Sequence, residues 1–179
     1  PRGTAERGLP QGPQLLQEVR AKGFDEDLVL WDWEQAPQSA PLEPLSTHPL
    51  RSLYEALVLG VRDYAQKSGF KRALLGLSGG IDSALCAVIA AEALGPENVL
   101  GVAMPTRYSA DMSEEDAARQ AAALGVRYDV IPIEPIYDAT VTQLQPIFGD
   151  RAADVTEENI QARCRGLLLM AISNKTGRM

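Results

Sequence analysis

The sequence predicts an α/β fold, a parallel sheet with helices on both faces. Three observations carry that prediction. From Leu50 onward, short apolar runs alternate with amphipathic patterns of helical period, the alternation that builds parallel sheets through helical crossovers. The run Arg72–Leu77 passes through Ser-Gly-Gly-Ile-Asp-Ser (78–83) into a helical pattern, a strand, a tight loop and a helix in direct succession. The composition is 45% hydrophobic and 23% charged, which suffices for a packed core.

Residues 1–49 are expected to form an arm and linker. The first thirteen are rich in Gly, Pro, Arg and Glu and read as mobile chain. "QLLQEVRAKG" suits a short helix stopped at Gly23, and Leu28–Trp33 suits a strand. Pro37, Pro41, Pro44 and Pro49 then impose an extended linker. Residues 50–179 are expected to form the domain. Leu50, Leu53, Tyr54, Leu57, Val58, Val61 and Tyr64 fall at helical spacing as one apolar stripe, ended at Gly69. "RALLGL" is the first buried strand, and the helix from Asp82 to Leu94 closes at Gly95-Pro96, with Ala84, Ala87 and Ala90 as its buried small residues. "NVLGVAMP" is the second strand. Ser113 with Asp116 reads as a capping box for the next helix. "VRYDVIPI" is the third strand, "IYDATVTQLQPIF" a helix bent or ended near Pro146, and Thr156–Asn159 opens a long helix burying Ile160, Cys164, Leu167, Leu168 and Ala171.

The 179 residues carry a net charge of −7, so no basic face is available to bind nucleic acid through counterion release. A small anionic ligand needs only a local positive site. Cys86 and Cys164 lie far apart, neither at metal-ligand spacing, and are expected to be buried thiols of a reducing compartment. His48 is the single histidine. It reads as a solvated loop residue, which disfavours Ser-His-Asp hydrolysis. There is no leader pattern, and no apolar run approaches the roughly 18 residues of a membrane span. The expected location is the cytoplasm.

In sheets of this kind, ligands bind at the carboxyl ends of the strands. Ser78–Ser83 lies at one such end. Gly79 and Gly80 let backbone N–H groups approach phosphate oxygens, and the helix behind them adds its positive dipole end. Ser78 and Ser83 can donate hydroxyl hydrogen bonds. Asp82 would repel phosphate directly, so its place there is to hold a magnesium ion that phosphate also coordinates. A plain strand-to-helix turn would use the same glycines and caps. No Walker lysine follows the glycines.

Ser-Gly-Gly-Ile-Asp-Ser resembles the pyrophosphate-binding loop of the N-type ATP pyrophosphatases, whose fold is Rossmann-like (adenine nucleotide alpha hydrolase-like). Two longer stretches narrow the resemblance. "YEALVLGVRDYAQKSGFKRALLGLSGGIDSALCAVIAAEALGPENVLGVAMPTRYSADMSEEDA" and "TEENIQARCRGLLLMAISNKTG" resemble NAD synthetases, especially the bacterial glutamine-dependent kind. The resemblance covers roughly Leu50–Gly177. It implies ATP-dependent amidation of deamido-NAD through an adenylate, releasing AMP and pyrophosphate. The loop would then hold a leaving pyrophosphate, for which a Walker lysine is not required.

By the same resemblance, Gly76, Leu77, Ser78, Gly79, Gly80, Ile81, Asp82 and Ser83 serve ATP, with Ser78, Asp82 and Ser83 at the reacting phosphates and Asp82 on magnesium. Asn159 and Arg163 match positions that contact deamido-NAD, while Arg165 stays open between that role and a solvated charge. Met104 and Arg107 are placed near adenine and ribose by their strand-end position. Asp111, Glu114, Glu115 and Asp116 read as first-turn helix charges and receive no chemistry. Ammonia is expected either free or from glutamine through a glutaminase domain whose last strand could be "DEDLVLWDWE". Dimers are expected, with the Leu50–Tyr64 stripe or the last helix as possible interfaces, although either stripe could equally be ordinary core.

The family pattern continues beyond "SNKTGRM" into a Thr-Gly-Asn-x-Ser-Glu segment. The chain alone is therefore expected to be an incomplete fold, weakly active or inactive. Two rival readings remain: another ATP pyrophosphatase, such as a GMP synthetase or a tRNA-thiolating enzyme, and a nucleotide-binding module without catalysis.

Overall fold

Two apolar runs become buried strands because their neighbours cover both sides, and a third, more exposed strand pairs at their edge. In the computed structural model, which describes residues 22–28, 48–106 and 111–179, β1 (Ala73–Gly76), β2 (Val99–Ala103) and β3 (Arg127–Val130) form one sheet in the order β1-β2-β3. Both pairings are parallel, with Ala73 opposite Val99 and Leu100 opposite Arg127. The backbone of Met179 pairs with the other edge of β1, donating to Arg72 O at 2.8 Å and accepting from Leu74 N–H at 2.9 Å.

The pleat sends alternate residues to opposite faces. On one face, Leu77 and Val99 pack with Ala87 and Ala91 of α2 (Ile81–Leu94) and with Ala117 and Ala121 of α3 (Asp111–Leu124). On the other, Leu100, Val102 and Met104 pack with Cys164, Ile160 and Leu168 of α5 (Val155–Thr176) and with Ile136 of α4 (Glu134–Phe148). Helices therefore cover both faces, as expected. The alanines let α2 and α3 approach closely. Gly101 is equally constrained, since a Cβ there would overlap Leu77 Cδ1.

The chain divides into two compact units, residues 1–56 and 57–179. The first contains the turn at Gly23–Phe24 and the start of α1 (Pro49–Lys67). The expected helix before Gly23, the strand to Trp33 and the proline linker fall on residues 1–21 and 29–47, outside the described residues. In the second unit, α1 ends through Gly69 at φ 77°, with Phe70 N–H on Ala65 O. Arg62 ties this half of α1 to α2 by donating to the carbonyls of Glu92 and Ala93.

Several expectations need correction. The α1 stripe, left open between core and interface, divides: Val58 is buried, while Leu50, Leu53, Leu57 and Tyr64 are exposed. The helical period groups residues on a side but does not say which side meets the core. The backbone of α3 begins at Asp111, ahead of the expected start at Ser113. Helix α4 does end near Pro146, which lies in its last turn before Phe148 and Gly149. On α5, Leu167 and Ala171 are exposed, and Leu169 and Ile172 take their places on the inner face. Of the expected small residues on α2, Ala87 is fully buried while Ala84 and Ala90 are half-buried. Cys164 is buried but Cys86 is exposed.

Candidate functional site

The loop after β1 has the geometry that its residue types demand. Gly79 takes φ 78°, a left-handed conformation that L side chains rarely adopt. Gly80 caps α2 in an extended conformation without a side-chain hydrogen bond. The first N–H groups of α2 therefore face outward, since helix geometry leaves them no intrahelical partner. Ser83 closes the loop: its Oγ donates to Gly80 O at 2.9 Å and accepts from Ser78 N–H at 3.3 Å. Ser78 Oγ lies 3.2 Å from Ser83 Oγ and accepts from Gly80 N–H at 3.3 Å. Two hydroxyls, outward N–H groups and a dipole end thus converge on one exposed place.

That loop opens onto a cleft of about 620 Å³ at the carboxyl ends of β1 and β2. Gly76, Leu77 and Ser78 form one wall and Val102–Pro105 the floor, with Glu114 of α3 at one side and α5 contributing Ala162, Arg165, Gly166 and Leu169. Gly76 lies close under Met104: a Cβ there would come within 3.2 Å of the Met104 methyl, which would have to shift slightly. Arg165 Nε donates to the Met104 carbonyl at 3.2 Å, tying α5 to the end of β2. Tyr128 packs behind Glu114's helix with its hydroxyl oxygen buried and unpartnered among the described residues. Burial first, and then the Glu114 charge, push its phenol above the usual range.

Asp82 stands exposed in the first turn of α2. A carboxylate beside a loop of outward N–H groups is a donor that magnesium could share with phosphates and water, since that ion takes one or two carboxylates. Among the described residues no three His, Cys, Asp or Glu side chains gather as an all-protein metal cage. The donor set fits an ion that arrives with its phosphates.

Of the residues singled out from sequence, Gly76, Leu77, Ser78 and Met104 line the cleft, and Gly79, Gly80, Ile81, Asp82 and Ser83 form its loop and first helical turn. Arg107 lies outside the described residues. Asn159 and Arg163 are brought together, Arg163 Nη1 reaching Asn159 O at 3.2 Å and Oδ1 at 3.3 Å. Both are exposed and neither lines the cleft. At 100° per residue they sit about 20° (Asn159) and about 60° (Arg163) beyond the Gly166 edge of the lining face. Glu114 and Arg165 were not assigned from sequence. The signal for Arg165 was available: Ala162, Arg165, Gly166 and Leu169 follow the i, i+3, i+4, i+7 rule of one helix face. Helix α5 itself starts firmly. Asp154 accepts from Thr156 N–H at 2.7 Å while Glu157 accepts from Asp154 N–H at 2.7 Å, a capping box.

A family model for NAD synthase matches residues 53–179. The glutamine-dependent NAD(+) synthetase of Synechocystis sp. is 48% identical over 163 residues, covering 89% of this chain and 29% of the relative. That of Acinetobacter baylyi is 45% identical over 169 residues, covering 94% and 30%. Among solved structures, the glutamine-dependent NAD+ synthetase from Acinetobacter baumannii in complex with adenosine diphosphate is similar with a TM-score of 0.75 at 45% identity, over 78% of this chain and 26% of that one. The NH3-dependent NAD synthetase from Campylobacter jejuni gives 0.65 at 33% identity, over 74% of this chain and 55% of that one. The chain spans 29% and 30% of the length of the first two relatives.

Proposed function

The chain belongs to the NAD synthase family, and from that premise we propose that it works in the ATP-dependent amidation of deamido-NAD to NAD. The observation that carries this reading is the Ser78–Ser83 loop, with Gly79 at φ 78° and the α2 N-terminus opening onto the cleft. In the first step the nicotinate carboxylate attacks the α-phosphorus of ATP, and the bond to the bridging oxygen breaks to release pyrophosphate. In the second, ammonia attacks the acyl carbon of the adenylate, AMP leaves, and a proton is lost to give the amide.

The residues of this chain contribute positioning and charge neutralisation. Negative charge grows on the departing pyrophosphate, and the outward N–H groups of α2 and the loop lie where they can accept it. The hydroxyl hydrogens of Ser78 and Ser83, which close on the loop itself in the free state, turn outward to phosphate oxygens. Asp82 would hold magnesium, which when bound would offset phosphate charge. Met104, with Arg107, borders the adenosine. Asn159 and Arg163 take deamido-NAD, Arg163 offering a guanidinium fork suited to phosphate or carboxylate. Ammonia comes from glutamine through a glutaminase domain or from solution. The exposed face of α1, with Leu50, Leu53, Leu57 and Tyr64, suits a second copy in a homo-oligomer. The net charge of −7 fits a small-molecule partner rather than nucleic acid. Among the described residues no helix is long and apolar enough to cross a membrane, which accords with a cytoplasmic site of action.

The test offers the full-length gene product Mg-ATP and ammonium with either deamido-NAD or xanthosine monophosphate. NAD formed is read as NADH absorbance after alcohol dehydrogenase reduction, and guanosine monophosphate by chromatography. Formation of NAD alone is expected. Amidation of xanthosine monophosphate with no NAD would replace this reading with a GMP synthetase.

A further inference from the structure

We propose that Arg165 binds the α-phosphate of the adenine nucleotide, on the side of the cleft away from the serine loop. The inference rests on the nucleotide reading of the cleft and adds a residue that the loop chemistry does not contain.

Three observations carry it. Arg165 lines the cleft together with Ser78, Met104 and Pro105, so its guanidinium borders the space that the loop opens onto. Its Nε is held by the Met104 carbonyl at 3.2 Å, which fixes the plane of the group and leaves the terminal nitrogens to point elsewhere. Among the described residues no carboxylate is bonded to it; Arg62, Arg72, Arg151 and Arg178 likewise meet carbonyl oxygens, but of these arginines Arg165 alone lines the cleft. A half-buried arginine with an anchored Nε and no bonded carboxylate among the described residues is arranged for an anion supplied by the ligand.

Position selects which anion. The loop and α2 N-terminus gather donors for the terminal phosphates, and the end of β2 borders the adenosine. Arg165 is bonded to Met104 on the β2 end, so the phosphate within its compass is the one nearest the ribose. That phosphate carries the phosphorus under attack. A fixed guanidinium there would spread the charge of the pentacoordinate centre and remain on AMP once pyrophosphate has left. The acceptor-reading pair Asn159 and Arg163 stands on the adjoining flank of the same helix, so α5 would place both reactants.

AMP and adenosine differ only in this phosphate, which makes them the discriminating probes. Binding of adenosine, AMP and ATP to the full-length gene product is measured by calorimetry for the wild type, Arg165→Met and Arg165→Lys, with thermal unfolding followed alongside. The wild type is expected to prefer AMP over adenosine. Arg165→Met should weaken AMP and ATP about 10- to 100-fold, the effect of losing a charge-assisted hydrogen-bonded pair, and leave adenosine unchanged. Arg165→Lys should keep part of the preference for AMP. Should the methionine variant fail to fold, Arg165→Gln replaces it with the same expectation.

Equal weakening of adenosine and AMP would overturn the proposal, since Arg165 would then only brace the end of β2. So would unchanged AMP affinity, or a loss confined to deamido-NAD. A wild type that binds neither AMP nor ATP would overturn the nucleotide reading as well. Wild-type binding of ATP with an unaltered methionine variant would overturn the role of Arg165 alone.

Discussion

One oxygen, Ser83 Oγ, contacts Gly80 O, Ser78 N–H and Ser78 Oγ, so the loop's shape depends on it more than on any other side chain. Ser83→Ala is predicted to weaken ATP binding by about tenfold or more, the effect of losing a hydroxyl donor to a charged group. The thermal midpoint should move little, because Ser83 is only half-buried; calorimetry and circular dichroism separate the two effects. The residues of this loop were legible in the sequence because their chemistry is contiguous, six positions that a single strand-to-helix turn brings together. Glu114 was not, because a cleft at a sheet edge collects residues from helices far apart in the chain, and Arg165 was legible only as far as the helix face it shares with Ala162, Gly166 and Leu169. Glu114 reads locally as one more acid in a helix's first turn, and only the fold places it against the cleft. Cys86 misled for a related reason: a thiol among alanines on α2 looks like core, yet it falls on the face turned away from the sheet.

At the scale of elements, the sheet leaves little room for change at Gly101, which pairs with Leu75 and Tyr128. A methyl there overlaps Leu77, itself 2% exposed and unable to retreat. Gly101→Ala should therefore destabilise the domain by about 1–3 kcal/mol, the usual cost of overpacking a filled core, read from denaturant unfolding. Helix α5 depends on its cap. Hydrogen bonding from Thr156 holds the Asp154 carboxyl below its ordinary value of 3.8. A lowered folded pKa means that the cap's contribution is full above the unfolded value and is lost as pH falls through the lowered one. The difference in thermal midpoint between wild type and Asp154→Asn should thus be present at neutral pH and vanish in acid. A difference that grew on acidification would contradict this. The order and type of these elements were legible because periods of two and 3.6 residues record burial on one or two faces. Their limits were less so. An apolar residue such as Leu167 or Leu57 satisfies the helical period whether it faces the core or, as here, solvent.

For the whole molecule, function depends on where the layers end. Helices α2 and α3 cover one face of the sheet and α4 and α5 the other, so the free space lies at the carboxyl ends of β1 and β2. The loop reaches that space from one layer and Arg165 from the other. The central claim is that the loop holds a leaving pyrophosphate, and phosphorus NMR tests it most directly. The full-length gene product is given Mg-ATP, ammonium and deamido-NAD, and the phosphorus-containing products are identified as they form. AMP and pyrophosphate are expected in equal amounts, dependent on deamido-NAD. ADP and inorganic phosphate would contradict that claim, because attack would then have fallen on the γ-phosphorus and the loop would guide a different bond.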